Sequence, residues 1–173
     1  GMKSPRGLVD YKPPIGWLLS EKYDGYRARW IPGKRIFLSR NQKEFIAPEW
    51  FKDAMPDIDL DGELFAGREY FQYMGTVRKK VPVDEEWKKI KYVVYDLPEE
   101  DDIFENRVNK LCEVVKENDS NIVICAKQLK IKTIQHMEDI YKSVLKKGGE
   151  GIMIKDPTSS YEDKRSNYML KYK

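Results

Sequence analysis

The sequence of 173 residues has few of the side chains that build the commonest catalytic and metal sites: one histidine, His136, and two cysteines, Cys112 and Cys125. His136 lies in a predicted helix and is expected to be structural rather than catalytic, which argues against a histidine-based triad, and one histidine cannot make a histidine-rich zinc site. Two cysteines are too few for a disulfide framework or a cysteine zinc site, and free thiols are expected. The sequence also lacks an apolar run of membrane-spanning length and the apolar core of a signal peptide.

A glycine-rich phosphate loop is absent as well. Neither G-x-x-x-x-G-K nor G-x-G-x-x-G occurs in the sequence, and these are the usual signs of a loop that cradles nucleotide phosphates with backbone N–H groups. If the protein binds a nucleotide, side chains and a metal ion must therefore hold the phosphates.

The overall composition is that of one polar globular domain. Hydrophobic residues make up 40% of the chain and charged residues 35%, and 32 basic residues face 29 acidic ones, for a net charge of +3. This balance permits a basic face for a polyanion beside a carboxylate cluster for a metal ion. Gly1 before Met2 is typical of a tag-cleavage remnant.

The stretch around Lys22 predicts a hairpin. Residues 17–22 and 26–30 read as strands, and Asp24-Gly25 between them is a strong turn signal because glycine accepts positive φ angles. Alternation puts Arg27 and Arg29 on one strand face and Ala28 on the other. Desolvation or nearby cations can lower a lysine pKa enough to make a nucleophile of Lys22; the alternative is a solvated lysine on a basic hairpin.

The rest of the pattern alternates short strands with two long helices. Further strands are predicted at 35–40, 58–65, 91–97, 122–126, 151–155 and 168–172, helices at 48–54, about 103–118 and 134–147, and a short helix with a loop at 68–80. No βαβ unit repeats. The sequence therefore predicts the α+β class, with largely antiparallel sheets flanked by helices.

Several charged residues fall at the ends of these strands. They are Glu63, Glu150, Lys155, Lys171 and Lys173, and Glu150 lies between two glycines, which allow close approach by a ligand. The two carboxylates suit a hard divalent cation, and the lysines suit phosphates. Taken singly, each residue fits a solvated surface charge equally well.

Six short motifs occur in an order that resembles the covalent nucleotidyltransferases, the superfamily of ATP-dependent ligases and mRNA capping enzymes. They are Lys22-Tyr23-Asp24-Gly25-Tyr26-Arg27, Ser39-Arg40, Asp61-Gly62-Glu63-Leu64, Tyr92-Val93-Val94-Tyr95-Asp96, Glu150-Gly151-Ile152-Met153-Ile154-Lys155 and Leu170-Lys171-Tyr172-Lys173. The stretches 47–51, 60–68 and 95–98 are most similar to minimal bacterial and viral ATP-dependent DNA ligases. The resemblance implies a covalent nucleotidyltransferase (ATP-grasp-like) adenylation domain over residues 2–173.

The resemblance also implies a role for each motif residue. Lys22 would attack the α-phosphate of ATP, release pyrophosphate and carry AMP, with Asp24 orienting the lysine. The implied nucleotide contacts are Ser20, Glu21, Arg27, Glu63, Tyr95 (stacked on adenine), Glu150, Lys155, Lys171 and Lys173, with Arg40 at the 5′-phosphate of a nick. The implied ligands of Mg²⁺ or Mn²⁺ are Asp24, Glu63 and Glu150.

The implied substrate is nicked double-stranded DNA, with AMP passed to the 5′-phosphate before sealing. The basic residues expected to contact DNA phosphates are Arg40, Arg68, Arg78, Lys79 and Lys80, although a solvated charge run explains 78–80 as well. We expect a monomer that does not bind membranes. The family places an OB-fold domain after the last motif, and we expect the natural protein to continue into one.

Three alternatives stay open on sequence grounds. An RNA ligase or a capping guanylyltransferase shares the lysine motif, and a non-catalytic nucleic-acid-binding domain could keep the same fold. The location is expected to be cytoplasmic in a bacterial or virus-infected cell, with a removed export leader as the other option.

Overall fold

Two β-sheets form the framework of the molecule. The computed structural model describes residues 2–3, 14–162 and 169–172, with side chains described for 14–162. The small sheet is antiparallel throughout and has the order β1 (Met2–Lys3), β11 (Met169–Tyr172), β10 (Ile152–Lys155), β2 (Leu18–Glu21), β9 (Leu129–Lys130). The large sheet has the order β5 (Glu44–Phe45), β4 (Ile36–Ser39), β3 (Tyr26–Ile31), β6 (Leu60–Phe65), β7 (Lys91–Asp96), β8 (Val123–Cys125), and its β7–β8 pair is parallel.

Helices cover the outer faces of these sheets. They are α1 (Glu49–Asp53), a 3₁₀ helix (Phe71–Arg78), α2 (Asp84–Trp87), α3 (Phe104–Asn118) and α4 (Ile134–Lys146). Apolar residues at helical spacing put one stripe of α3 and of α4 against a sheet. The α+β prediction, with mainly antiparallel sheets and flanking helices, is therefore confirmed.

The core of the large sheet is aromatic. Ala28 and Trp30 point inward from β3, as the alternation predicts, and Trp30 packs on Phe37 with ring centroids 4.8 Å apart. Phe51 of α1 also packs on Phe37, with ring centroids 5.7 Å apart. The buried Tyr92 hydroxyl donates to the Ala28 carbonyl oxygen at 2.7 Å, so β7 is held to β3 across the intervening β6. This packing fixes the strands that carry one wall of the site described below.

The predicted hairpin at residues 17–30 is wrong. Strand β2 pairs with β10 and β9 in the small sheet, whereas β3 pairs with β4 and β6 in the large sheet. Residues 22–25 therefore cross from one sheet to the other. Gly25 does not take the left-handed conformation that a hairpin turn would need. Glycine is required at position 25 for another reason, because a Cβ there would overlap the Leu64 carbonyl oxygen of β6.

The other predicted strands and helices are present, with ends shifted by a few residues. Strands β1, β5 and β9 and helix α2 were not predicted, since elements of two to four residues are too short to show a period. Within the described residues, none of the helices is long and apolar enough to cross a membrane.

Candidate active site

A cleft of about 690 Å³ lies between the two sheets. Leu18, Ser20 and Lys22 line it at every second position of β2 and its extension, and Met153 and Lys155 line it from β10. The opposite wall comes from the large sheet and includes Arg27, Arg40, Glu63, Tyr95 and Asp96. The size falls within the range of pockets that bind small molecules.

Lys22 lies at the point where the chain leaves the small sheet. Its backbone N–H donates to the Gly151 carbonyl oxygen at 2.8 Å, and its ammonium Nζ lies 2.6 Å from Glu150 Oε1. The Lys22 side chain is 15% exposed and the Glu150 side chain 29% exposed. Glu150 therefore holds the lysine head group at the cleft while leaving it within reach of a ligand. The structure brings together these two residues, which are 128 positions apart in sequence.

Glu63 faces the same space from β6. Its Oε2 accepts a hydrogen bond from the Gly25 N–H at 3.2 Å. Burial raises the pKa of Glu63 from its usual 4.5 to about 7, and the negative charges of Asp61 and Glu150 add to the rise, while the Gly25 N–H and the Arg27 cation oppose it. A carboxyl with this pKa loses its proton near neutral pH, so the negative charge of the cleft increases as the pH rises.

Replacing Glu63 with glutamine should make stability less dependent on pH. The folded protein binds the Glu63 proton more tightly than the unfolded chain does, so wild type loses stability as the pH rises from about 4.5 through about 7. The uncharged glutamine avoids this loss, and the variant should gain roughly 3 kcal/mol over wild type above pH 8 and almost nothing at pH 4.5. Urea unfolding in metal-free buffer at both pH values measures the difference. A stability difference that is equal at the two pH values would contradict the shifted pKa.

Arg27 is held in place by Asp61. The Arg27 guanidinium donates Nε to Asp61 Oδ1 at 3.1 Å and Nη2 to Asp61 Oδ2 at 2.6 Å, and the Tyr161 hydroxyl donates to the same Oδ2 at 2.8 Å. Burial lowers the pKa of Arg27, but the hydrogen bonds and charge of Asp61 outweigh burial and raise it. The bidentate pair fixes the guanidinium at the cleft wall.

Lys155 is held by a buried carboxylate. Its Nζ donates to Asp96 Oδ2 at 3.0 Å, and the fully buried Arg107 of α3 donates Nε to Oδ1 at 2.7 Å and Nη2 to Oδ2 at 3.0 Å. Burial alone would raise the pKa of Asp96, but Arg107 and Lys155 outweigh burial and keep it below its usual value. Arg107 Nη1 also donates to the Ser159 carbonyl oxygen at 2.8 Å. One ion network therefore joins β7, β10 and α3 at the wall of the cleft.

Glu21 and Arg68 form a pair of their own. Arg68 donates Nη2 to Glu21 Oε1 at 2.6 Å and Nε to Oε2 at 3.2 Å. Neither side chain lines the cleft, because Glu21 alternates with Ser20 and Lys22 along the chain. Glu21 is predicted to contact the nucleotide and Arg68 to contact DNA, and in the structure the two side chains bind each other.

The three predicted metal ligands do not form a ready-made site. Across residues 14–162, no three acidic, histidine or cysteine side chains lie close enough together to hold a metal ion. Glu63 and Glu150 fit another arrangement, in which Mg²⁺ keeps several waters and binds one or two carboxylates together with nucleotide phosphates. Asp24 lies on the crossing between the sheets, two residues after Lys22.

Two predicted phosphate contacts lie beyond what the structure describes. Lys173 is outside the described residues, as is the side chain of Lys171. The backbone of β11 places position 171 directly opposite Met153 of β10. Position 171 is therefore one strand away from a residue that lines the cleft.

Sequence reasoning missed four residues around the cleft. Met153 lines the cleft, and alternation with Lys155 could have identified it. Tyr161 and Gln128 lie in irregular segments that carry no periodic signal, although both line the cleft. Arg107 reads as an ordinary polar residue of α3, since only the fold brings Asp96 to it.

The sequence matches the profile of a protein family described as "ATP dependent DNA ligase domain" over residues 3–173. A DNA ligase of Haemophilus influenzae is 34% identical over 163 residues, which cover 94% of this chain and 59% of that protein. A DNA ligase of Methanobrevibacter smithii is 30% identical over 201 residues, covering 96% of this chain and 36% of that protein. The chain thus spans about three fifths or less of the length of these relatives.

Solved structures show the same fold. A structure from a study of DNA binding by Lig E DNA ligases superposes with a TM-score of 0.85 at 26% identity, covering 99% of this chain and 66% of that one. The Chlorella virus DNA ligase–adenylate superposes with a TM-score of 0.75 at 21% identity, covering 96% of this chain and 64% of that one.

Proposed function

The chain belongs to the ATP-dependent DNA ligase family, and from this membership we propose that its cleft binds ATP and that Lys22 becomes covalently adenylated. The observation that carries the proposal is the position of the Lys22 ammonium, which lies at the cleft and 2.6 Å from Glu150 Oε1. AMP then passes to a DNA 5′-phosphate, and a 3′-hydroxyl displaces it to seal the nick.

The first step transfers AMP to the protein. The Lys22 ammonium gives up a proton, and its nitrogen attacks the α-phosphorus of ATP. The N–P bond forms, the bond from the α-phosphorus to the bridging oxygen breaks, and pyrophosphate leaves with that electron pair, while the nitrogen loses a second proton. Glu150 Oε1 lies 2.6 Å from Nζ and is placed to accept the first proton.

The walls of the cleft suit the remaining parts of the nucleotide. Tyr95 of the large sheet and Met153 of the small sheet both line the cleft and provide two apolar surfaces for a purine ring. Arg27, fixed by Asp61, and Glu63 offer a donor and an acceptor for the sugar hydroxyls. A divalent cation held by phosphate oxygens with Glu63 or Glu150 would neutralise charge on the phosphoryl group.

In the second step an oxygen of the DNA 5′-phosphate attacks the adenylate phosphorus and Lys22 leaves as the amine. In the third step the 3′-hydroxyl attacks the activated 5′-phosphate, so that a phosphodiester forms and AMP departs. Arg40 lies on the exposed rim of the cleft and is placed to meet the 5′-phosphate. A neighbour of the same fold is a ligase–adenylate, which agrees with a covalent AMP in this scaffold.

Intact mass spectrometry after incubation with Mg²⁺ and either ATP or GTP tests the proposal. We expect a gain of one AMP with ATP and no comparable gain with GTP. Labelling from GTP alone would instead support a capping-type guanylyltransferase. Sealing assays with nicked DNA and nicked RNA then compare the two candidate polynucleotides.

An aromatic and basic surface extends from the cleft rim toward solvent. The Arg78 guanidinium lies 4.7 Å from the ring centroid of Tyr26, which stacks on Phe45 at 6.0 Å and meets Phe71 edge-on at 5.6 Å. Arg78, Tyr26 and Phe45 line the outer cleft, and Phe71 is 40% exposed. Stacked rings can support a sugar or base while the guanidinium binds a phosphate, so we propose that this surface contacts the DNA beside the nick.

Replacing Arg78 with alanine should weaken binding to nicked DNA by roughly three- to tenfold. One lost phosphate contact should also reduce the slope of log affinity against log salt by about 0.9. Lys79→Ala is the matched control, because the adjacent Lys79 already pairs with Glu86 at 2.8 Å. Fluorescence anisotropy at several salt concentrations measures both quantities. Equal effects of the two variants would argue against a specific role for the Arg78 surface.

A further inference from the structure

We propose that Gln128 reads the edge of the purine base in the cleft and is a specificity-determining residue for the nucleotide. Gln128 lies just before β9 and lines the cleft. The inference rests on the proposed function, since it assumes that the cleft holds ATP. It adds a residue for base recognition that none of the six sequence motifs contains.

The strand register places Gln128 in a row of cleft residues. Leu19 of β2 lies opposite Leu129 of β9, and continuing this antiparallel register by one residue puts Ser20 opposite Gln128. Ser20 also lies opposite Met153 of β10. Cross-strand neighbours project to the same face of a sheet, so Gln128, Ser20 and Met153 form one row across the small sheet. All three line the cleft, which agrees with this arrangement.

The row lies at the right distance from Lys22 for a base. Ser20 precedes Lys22 by two residues, which is about 7 Å along an extended chain. A ribose and its 5′-phosphate span a similar length, so a nucleotide joined to Lys22 would bring its base to the row. Leu18 and Phe104 line the cleft near this end and are both buried. Apolar surroundings of this kind suit the faces of a purine and leave its polar edge in need of partners.

The side chain of Gln128 has the chemistry that this edge requires. Its amide has both donor and acceptor groups, and adenine presents a 6-amino donor beside a ring-nitrogen acceptor. Among the residues that the structure describes, none hydrogen-bonds the Gln128 side chain. The neighbouring cation Lys155 is already bound to Asp96 at 3.0 Å. The Gln128 amide oxygen is therefore positioned to accept from the adenine 6-amino group, with its NH₂ group donating to the adjacent ring nitrogen.

A double-mutant-type cycle tests the contact by removing the Gln128 amide from the protein and the 6-amino group from the nucleotide, separately and together. Wild type and Gln128→Ala are compared with ATP and with purine riboside 5′-triphosphate, which has hydrogen in place of the 6-amino group. For wild type we expect the KM for lysine labelling to rise about three- to tenfold when the amino group is removed, which is the range for one neutral hydrogen bond. For Gln128→Ala the two nucleotides should have nearly equal KM values. Gln135→Ala, which removes an exposed glutamine bound to Asp139 on α4, should behave like wild type.

The possible outcomes separate this inference from the proposed function. If wild type gains AMP but the preference for ATP is the same in wild type and Gln128→Ala, Gln128 does not read the base and the inference is overturned. If wild type gains no AMP at all, the proposed function fails first. Equilibrium binding of AMP and of purine riboside monophosphate, measured by calorimetry, provides the same cycle without the covalent step. Loss of the preference in the variant there would support the contact independently of catalysis.

Discussion

Alanine in place of Lys22 should abolish the covalent AMP adduct. After incubation with ATP and Mg²⁺, the intact mass of Lys22→Ala should stay unchanged, with labelling at least roughly a thousandfold below wild type. The amine is the only group of residue 22 that can form the phosphorus–nitrogen bond, and alanine leaves no substitute. Lys22→Arg should fail as completely, because the guanidinium stays protonated and does not offer a nucleophilic lone pair.

The control for this result is a lysine removed elsewhere. Lys79→Ala leaves the cleft intact, since Lys79 pairs with Glu86 on the outside of the molecule, and it should be labelled like wild type. Circular dichroism should show that Lys22→Ala is folded, because its partner Glu150 is 29% exposed and can be solvated. Adenylation of Lys22→Ala at a wild-type level would mean that another residue is the nucleophile and would overturn the proposed mechanism.

Methionine in place of Arg107 should destabilise the fold more than any surface substitution. The change leaves Asp96 buried, with Lys155 as its remaining cation, and it removes the donor to the Ser159 carbonyl oxygen. Breaking one side of a buried ion pair typically costs about 3–5 kcal/mol. For a chain of this size the melting temperature should fall by roughly 10 °C. Thermal and urea unfolding measure the change.

Two further variants decide whether the buried charge is the cause. Lys110→Met removes an exposed cation of the same helix, which pairs with Glu100 at 2.7 Å, and should cost less than about 1 kcal/mol. Adding Asp96→Asn to Arg107→Met should restore part of the lost stability, because the unpaired charge is then gone. If Arg107→Met were no worse than Lys110→Met, the network would not hold the two sheets as described.

Patterns within single elements predicted much of the fold. Alternation along β3 correctly put Ala28 in the core and Arg27 on the other face, and helical spacing located α3 to within one residue of its start. The motif order identified the family, which the comparisons confirm. The roles of Lys22 and Glu63 stay predictions, although the structure places both at one cleft.

Long-range pairing was beyond these patterns. Asp24-Gly25 resembles a hairpin turn, yet β2 finds its partner β10 more than 130 residues later, so the local signal was misleading. Arg107 follows the apolar Phe104 by three positions, and nothing in α3 reveals that a carboxylate from β7 meets it. Gln128 belongs to the site only because β9 joins the edge of the small sheet.

The crossing at residues 22–25 has a mechanical consequence. Only four residues join β2 to β3, so Lys22, the proposed nucleophile, lies on a short connection between the two sheets. Any movement of one sheet away from the other must displace Lys22 or extend this connection. An AMP group on Lys22, placed between Tyr95 of the large sheet and Met153 of the small sheet, would link the two sheets and would remain after free ATP is removed. The adenylated protein would therefore be the stiffer form, and transfer of AMP to DNA would remove this link between the sheets.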